Sequence, residues 1–162
     1  MILKEKISLL FVCWGNLCRS PTAHAVFTHY VADAGLDKQI AIASAGTHVD
    51  FKGDPVDERA KRAAAKRGYD MSRFRTRPVS PSDLEHYHYV LAMDQRNLDY
   101  LARDCPSDYA SKLQLFMSYG TCGEAVSVPD PYYGGVQGFE RVLDMAEDGA
   151  QGLLRHIRAQ HF

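Results

Sequence analysis

At 162 residues, with 46% hydrophobic and 24% charged residues, the chain has ordinary globular composition and enough length to bury one substantial core. A formal net charge of -1 gives no reason to expect nucleic acid as a partner, and any attraction for an anion must be local. No apolar run approaches the ~20 residues of a membrane span, and the run from Ile7 to Trp14 lacks the small-residue cleavage site of a signal peptide. The four cysteines, Cys13, Cys18, Cys105 and Cys122, do not fall into the two close pairs of a zinc site, and a chain with a normal core does not require disulfides. The expectation is a reduced, cytoplasmic protein with no metal and no cofactor.

In chain order, residues 7–12 read as a buried strand and residues 22–31 as a helix with Pro21 in its first turn. Gly35 and Asp37 break that pattern, and residues 39–44 form a second strand ending in a turn at Ala45, Gly46 and Thr47. A loop through Gly53, Asp54 and Pro55 leads to a helix over 56–67, stopped by Gly68. The arginine-rich stretch 72–78 has no period. A short helical turn at 81–84 is followed by a third strand at 87–93, and Asp94 caps a helix running to about Arg103. Residues 112–116 give a fourth strand. In the final helix, 139–158, Phe139, Val142, Leu143, Ala146, Ala150, Leu153, Leu154 and Ile157 recur at helical spacing. Strands alternating with helices indicate a single α/β domain over 1–162, a doubly wound sandwich with a central four-stranded parallel sheet flanked by helices. Ligands of such folds lie beyond the carboxyl ends of the strands, where Cys13, Ser44, Asp94 and the approach to Asp130 fall.

The loop Cys13-Trp14-Gly15-Asn16-Leu17-Cys18-Arg19-Ser20-Pro21 joins the first strand to the first helix. A loop so placed directs free backbone N–H groups and the positive end of a helix at one point, which makes an anion nest. Cys13 opens the nest and Arg19 closes it. Thiols in such surroundings ionise more readily than free thiols, and a guanidinium fork holds two phosphate oxygens at once. The chemistry indicated is attack by sulfur on a bound phosphoryl group. Chance spacing and a merely buried cysteine are the bland alternatives. The conjunction of strand, cysteine, glycine, arginine, serine and helix-initiating proline outweighs them.

This loop, its position near the N-terminus and the later Asp130-Pro131-Tyr132-Tyr133-Gly134 resemble the low-molecular-weight protein tyrosine phosphatases over nearly the whole chain. The resemblance implies hydrolysis of phosphotyrosine through a cysteinyl-phosphate intermediate. Cys13 is then the nucleophile, Arg19 the clamp on the equatorial oxygens and Asp130 the general acid. Backbone groups from Trp14 through Gly15, Asn16, Leu17 and Cys18 supply further donors. Ser20 helps the sulfur leave, and Asn16, Ser44 and Asp94 match positions that support the loop. Asn16 is expected in the left-handed conformation that asparagine tolerates. Tyr132 and Tyr133 serve as aromatic walls for a phenyl ring. The resemblance weakens at the cleft, where Asp50 stands at the place of a frequent tryptophan with Phe51 beside it. Trp14 is bulkier than the usual aliphatic residue, and a bracing histidine is replaced near Arg73 and Phe74. The implied partner is a phosphotyrosine-containing protein, a bacterial tyrosine kinase among the candidates.

Three rivals share the site. An arsenate reductase on this scaffold needs a resolving thiol carried by a mobile segment, and no cysteine lies between Cys18 and Cys105. A phosphoarginine phosphatase tends to have threonine where Leu17 stands. A non-catalytic phosphate-binding module has no use for Cys13 or Asp130. Cys18 also raises the expectation of redox regulation: a tightly curled loop brings its sulfur near Cys13, where it can capture a sulfenic acid as a disulfide.

Overall fold

Every position of β1 (Ile7–Cys13) except Ser8 is apolar, and this continuity has a structural cause. Leu9, Phe11 and Cys13 enter one core while Leu10 and Val12 enter another, so the strand is buried on both faces. The computed structural model describes residues 5–121, 127–132 and 134–162. In it β1 is followed by α1 (Arg19–Asp33), β2 (Ile40–Gly46), α2 (Glu58–Lys66), α3 (Pro81–His86), β3 (Tyr89–Ala92), α4 (Gln95–Arg103), β4 (Leu113–Leu115) and α5 (Gly135–His161). The sheet has four parallel strands in the order β2-β1-β3-β4, the doubly wound α/β arrangement expected from the alternation of elements. Among the described residues no helix is long and apolar enough to cross a membrane.

The larger core lies between the sheet and α1, α2 and α5. Phe11 sits at its centre, edge-on to Phe27 and Phe116 with ring centroids 5.9 and 5.2 Å away. Burying one such side chain fully contributes roughly 1.5–3 kcal/mol. On the opposite face Leu84 of α3 and Leu101 of α4 close the smaller core over Leu10 and Val12. At the far end of α2, Arg67 bonds Glu140, Asp144 and Glu147 of α5 at 2.5, 3.0 and 2.7 Å, which are one face of that helix. The Tyr69 hydroxyl donates to the same Glu147 at 2.6 Å. The clamp fixes the α2 axis, and with it the α2 N-terminus beside the β1–α1 loop.

Element boundaries differ from the sequence reading for identifiable reasons. The first helix starts at Arg19, because both the amide and the hydroxyl of Thr22 bond the Cys18 carbonyl, at 3.1 and 2.6 Å, and close an earlier turn. The last helix starts at Gly135. Its first turn holds Gly135, Gly138 and an exposed Val136, so no apolar period announces it. β3 and β4 are shorter than expected, and 3₁₀ turns at Ser107–Lys112 and Phe116–Tyr119 carry no pattern that sequence periodicity detects.

His24 of α1 stacks on Phe74, with centroids 4.2 Å apart and planes at 13°, and its Nδ1 lies 3.3 Å from Ser44 Oγ. Burial pushes its imidazole down to about 4 from an ordinary 6.5. The folded state therefore keeps His24 neutral where the unfolded chain takes up a proton. Stability from this site is intact above pH 6.5 and declines as the pH falls from 6.5 towards 4, by at most ~1.4 kcal/mol per pH unit. Urea midpoints across that window should fall with pH in the wild type, and a His24→Gln variant should show a shallower fall. Parallel profiles would assign the pH dependence elsewhere.

Candidate active site

Between β1 and α1 the loop turns its carbonyls outward. The Cys13 carbonyl accepts from the Thr47 amide at 2.9 Å, Trp14 from His48 at 2.7 Å and Leu17 from Asp57 at 2.9 Å, while Cys18 accepts from Thr22. In a trans peptide the N–H points opposite to the C=O, so these bonds aim the amides of Trp14, Gly15, Cys18 and Arg19 at the interior of the curl. Asn16 makes the reversal possible with φ of 57°, the left-handed conformation expected of it. Its side chain locks that turn: Nδ2 donates to Ser20 Oγ at 2.9 Å, and Oδ1 accepts from the Arg77 amide at 3.0 Å.

The Cys13 sulfur lies at the base of this cradle, 3.0 Å from Ser20 Oγ. Ser20 Oγ is also 3.3 Å from the Ala45 carbonyl. A hydroxyl has one hydrogen, so Ser20 serves either the carbonyl or the sulfur, and a negative charge on sulfur draws it there. Arg19 is 4% exposed; its Nη1 donates to Asp94 Oδ2 at 2.6 Å and to the Val128 carbonyl at 3.1 Å, which sets the plane of the guanidinium. Asp94 has two tasks, since its other oxygen accepts from the Asn97 amide at 2.8 Å and caps α4. Asp130 stands at the rim, largely exposed, with Oδ2 3.8 Å from Arg19 Nη2 and Oδ1 accepting from the Tyr132 amide at 3.0 Å. The Cys18 thiol is pushed well above its ordinary range, first by burial and then by the nearby Asp57, Cys13 and Asp130.

Above the cradle opens a cleft of ≈ 630 Å³ whose walls include Trp14, Leu17, Asp50, Phe51 and Tyr132. The structure thus brings Cys13, Arg19, Asp130 and the cleft residues together. Ser44 is the exception. Its hydroxyl bonds His24 of α1, and β2 reaches the loop through the Ala45 carbonyl and the close approach of Gly46. Where the resemblance lacks its histidine near Phe74, an imidazole arrives instead from α1. Tyr133 lies outside the described residues. Among the described residues no cluster of three or more histidine, cysteine or carboxylate side chains is placed to hold a metal ion.

Several site residues escaped the sequence reading. Trp14 stacks on His48 at 3.6 Å with planes 8° apart, Arg96 lies over the indole at 4.3 Å, and Tyr100 meets His48 at 4.9 Å. Thr76 pins the opposite wall, donating to the Phe51 carbonyl at 2.7 Å and accepting from the Asp54 amide at 3.1 Å. Gly46 is the least conspicuous. A Cβ there would meet the Trp14 carbonyl at 2.7 Å and the Asn16 amide at 2.8 Å. Its position after a β-strand was visible in the sequence, but the close approach of the loop was not.

An α/β protein with an oxyanion cradle at the ends of its parallel strands, floored by a cysteine and edged by an arginine and an aspartate, is the class these observations define. The profile described as low molecular weight phosphotyrosine protein phosphatase matches residues 8–161. A low molecular weight protein-tyrosine-phosphatase of Streptomyces coelicolor is 40% identical over 153 residues, 93% of this chain and 93% of that relative. A low molecular weight phosphotyrosine protein phosphatase of Schizosaccharomyces pombe is 38% identical over 154 residues, covering 94% and 98% of the two chains. The crystal structure of a protein tyrosine phosphatase from Entamoeba histolytica with Hepes in the active site has a TM-score of 0.92 at 36% identity, covering 97% of this chain and 100% of that one. The chain belongs to the low molecular weight phosphotyrosine protein phosphatase family.

The geometry at Gly46 makes a direct prediction. Gly46→Ala should destabilise the fold by ~1–3 kcal/mol and weaken inorganic phosphate binding more than tenfold, because the added methyl displaces the loop rather than a flexible side chain. Unchanged phosphate affinity by calorimetry would show that the cradle absorbs the methyl without moving.

Proposed function

We propose that the protein hydrolyses phosphotyrosine in phosphoprotein substrates by two successive displacements at phosphorus. In the first, the Cys13 sulfur forms a bond to phosphorus while the bond to the phenolic oxygen breaks, and Asp130 gives its proton to that oxygen. In the second, water attacks the cysteinyl phosphate and passes a proton to the Asp130 carboxylate. The S–P bond breaks, and the Ser20 hydroxyl turns to the departing sulfur. Arg19 and the inward amides bind the equatorial oxygens, whose charge they meet best in the transition state. The observation that carries this reading is the 3.0 Å contact of Cys13 with Ser20 at the base of the cradle, below a rim holding both Arg19 and Asp130.

The aromatic walls favour an aryl ester. Phe51 and Tyr132 are exposed around the cleft mouth, and the Trp14–His48 stack gives it a rigid aromatic side. Leu17 in place of threonine points the same way. An arsenate reductase is disfavoured because Cys105 packs against the smaller core between sheet, α3 and α4, whereas Cys13 and Cys18 belong to the larger one. We further infer a reduced cytoplasmic setting and, from the resemblance, a bacterial tyrosine kinase among the substrates.

Two variants test the chemistry. Cys13→Ser should abolish turnover of aryl phosphates yet retain vanadate binding. Asp130→Asn should slow phenyl phosphate by ~10²-fold or more and p-nitrophenyl phosphate far less, since only the poorer leaving group requires a proton. Equal slowing of the two esters would remove Asp130 from the acid role.

The same loop supports a redox reading. Peroxide converts the Cys13 sulfur to sulfenic acid, and the Cys18 thiol then displaces water from it to give a disulfide. The raised Cys18 thiol stays protonated at neutral pH, so it is the poorer target for the oxidant itself. Cys18→Ser should keep most of its activity when reduced but recover poorly with dithiothreitol after peroxide. Equal recovery by both proteins would leave Cys18 as a packing residue.

A further inference from the structure

Arg59 is an exposed residue in the first turn of α2, and nothing in the reaction as written uses it. We propose that Arg59 is a positioning residue that ties the Asp130 loop to the phosphate-binding loop. The inference rests on Asp130 acting as the general acid, and it adds what holds that acid in place.

The connection is continuous. The Asp57 amide donates to the Leu17 carbonyl at 2.9 Å, which anchors the α2 N-terminus to the phosphate-binding loop. The Asp57 carboxylate caps α2 by accepting from the amides of Arg59 at 2.8 Å and Ala60 at 3.3 Å. It also holds the Arg59 guanidinium by two bonds, Nε to Oδ1 at 3.3 Å and Nη2 to Oδ2 at 3.0 Å. A two-point fork fixes the plane of a guanidinium, not only its charge. Nη1 is thereby turned to the Tyr132 carbonyl at 3.3 Å. The guanidinium carbon also lies 5.4 Å from the Tyr132 ring centre and 4.8 Å from that of Phe139 in α5. Tyr132 in turn donates its amide to Asp130 Oδ1. Arg59 thus grips the residue whose amide orients the acid.

The other end of the loop is already secured. The Val128 amide donates to the Met93 carbonyl at 2.8 Å, and the Val128 carbonyl accepts from Arg19. Asp130 lies between these two anchors, its Oδ1 held by the Tyr132 amide and its Oδ2 a long 3.8 Å from Arg19 Nη2. Without the Arg59 anchor, the carboxyl loses the fixed backbone on its C-terminal side. The cradle keeps its bonds from Thr47, His48 and Asn16 and from the backbone amide of Asp57, whose carboxylate still caps α2 through the Ala60 amide. Partial burial works against the Asp57 charge, yet the bonds from Arg59 and Ala60 hold its carboxyl below the usual carboxylate value. Both partners of the fork are therefore ionised at neutral pH.

The experiment compares Arg59→Ala and Arg59→Lys with the wild type. In Arg59→Ala, kcat for phenyl phosphate should fall ~10-fold and for p-nitrophenyl phosphate ~2-fold, with the inhibition constant of inorganic phosphate unchanged. Lysine retains the charge without the fork, so Arg59→Lys should restore less than half of the lost selectivity. In an Asp130→Asn background Arg59→Ala should cost nothing further in leaving-group selectivity. Hydrogen exchange supplies a readout that does not depend on the acid assignment: the Tyr132 amide should exchange at least ~5-fold faster in Arg59→Ala, with residues 13–18 unaltered. Equal slowing of both esters, additive loss in the Asp130→Asn background, or unchanged exchange at Tyr132 would each overturn the proposal. If Asp130→Asn alone shows no leaving-group selectivity, the acid assignment fails, and the exchange result still decides whether Arg59 anchors the loop.

Discussion

The site depends on where the carbonyls of one short loop go. An anion nest requires several amides to converge, and each convergent amide obliges the adjoining carbonyl to point away and find a donor outside. In this chain the donors are supplied by the backbone after β2, by the amide that begins α2 and by the first turn of α1. The loop is therefore not a self-contained motif. It is the inner surface of a junction between four elements, and its shape is set by backbone groups outside the curl.

Several side chains at that junction carry paired duties. Asn16 serves Ser20 with one end and the Arg77 backbone with the other, so a single amide group links the sulfur's hydrogen-bond partner to the stretch before α3. Asp94 divides its oxygens between a helix cap and Arg19. Asp57 caps α2 while its own amide holds the loop. Such sharing keeps the number of buried polar groups small, and it makes ordinary capping chemistry part of the positioning of reactive groups.

The fold and the phosphate-binding loop were legible because each had a local signature. β1 announced itself by an unbroken apolar run, α5 by its period and the loop by cysteine, glycine, arginine and proline in sequence. The supporting groups were hidden because their roles are relational. Gly46 looks like any turn glycine until the loop is seen against its Cα. Ala45 contributes a carbonyl, for which no residue type is diagnostic. His48 and Arg96 acquire meaning only from the indole between β1 and α1 that they pack on. Ser44 was chosen by its place at a strand end, and its hydroxyl meets His24 of α1 rather than a loop group. The Asp130 loop was noticed from Asp130 and Tyr132, whereas Arg59, which donates to the Tyr132 carbonyl, sits over seventy positions earlier.

β1 occupies an interior place in the sheet although it is made first, and this has a consequence for assembly. Its neighbours β2 and β3 come from residues 40–46 and 89–92, and Arg19 waits for the Val128 carbonyl before its plane is fixed. Contacts of such long sequence separation cannot form until their distant partners exist, and their loop-closure entropy slows folding. A nascent chain that has emerged only as far as β2 holds Cys13, Arg19 and the start of α1, yet lacks Asp57, Asp94 and Val128, which arrange them. The cradle is thus assembled only when residues from β1 to the Val128 loop are all in place.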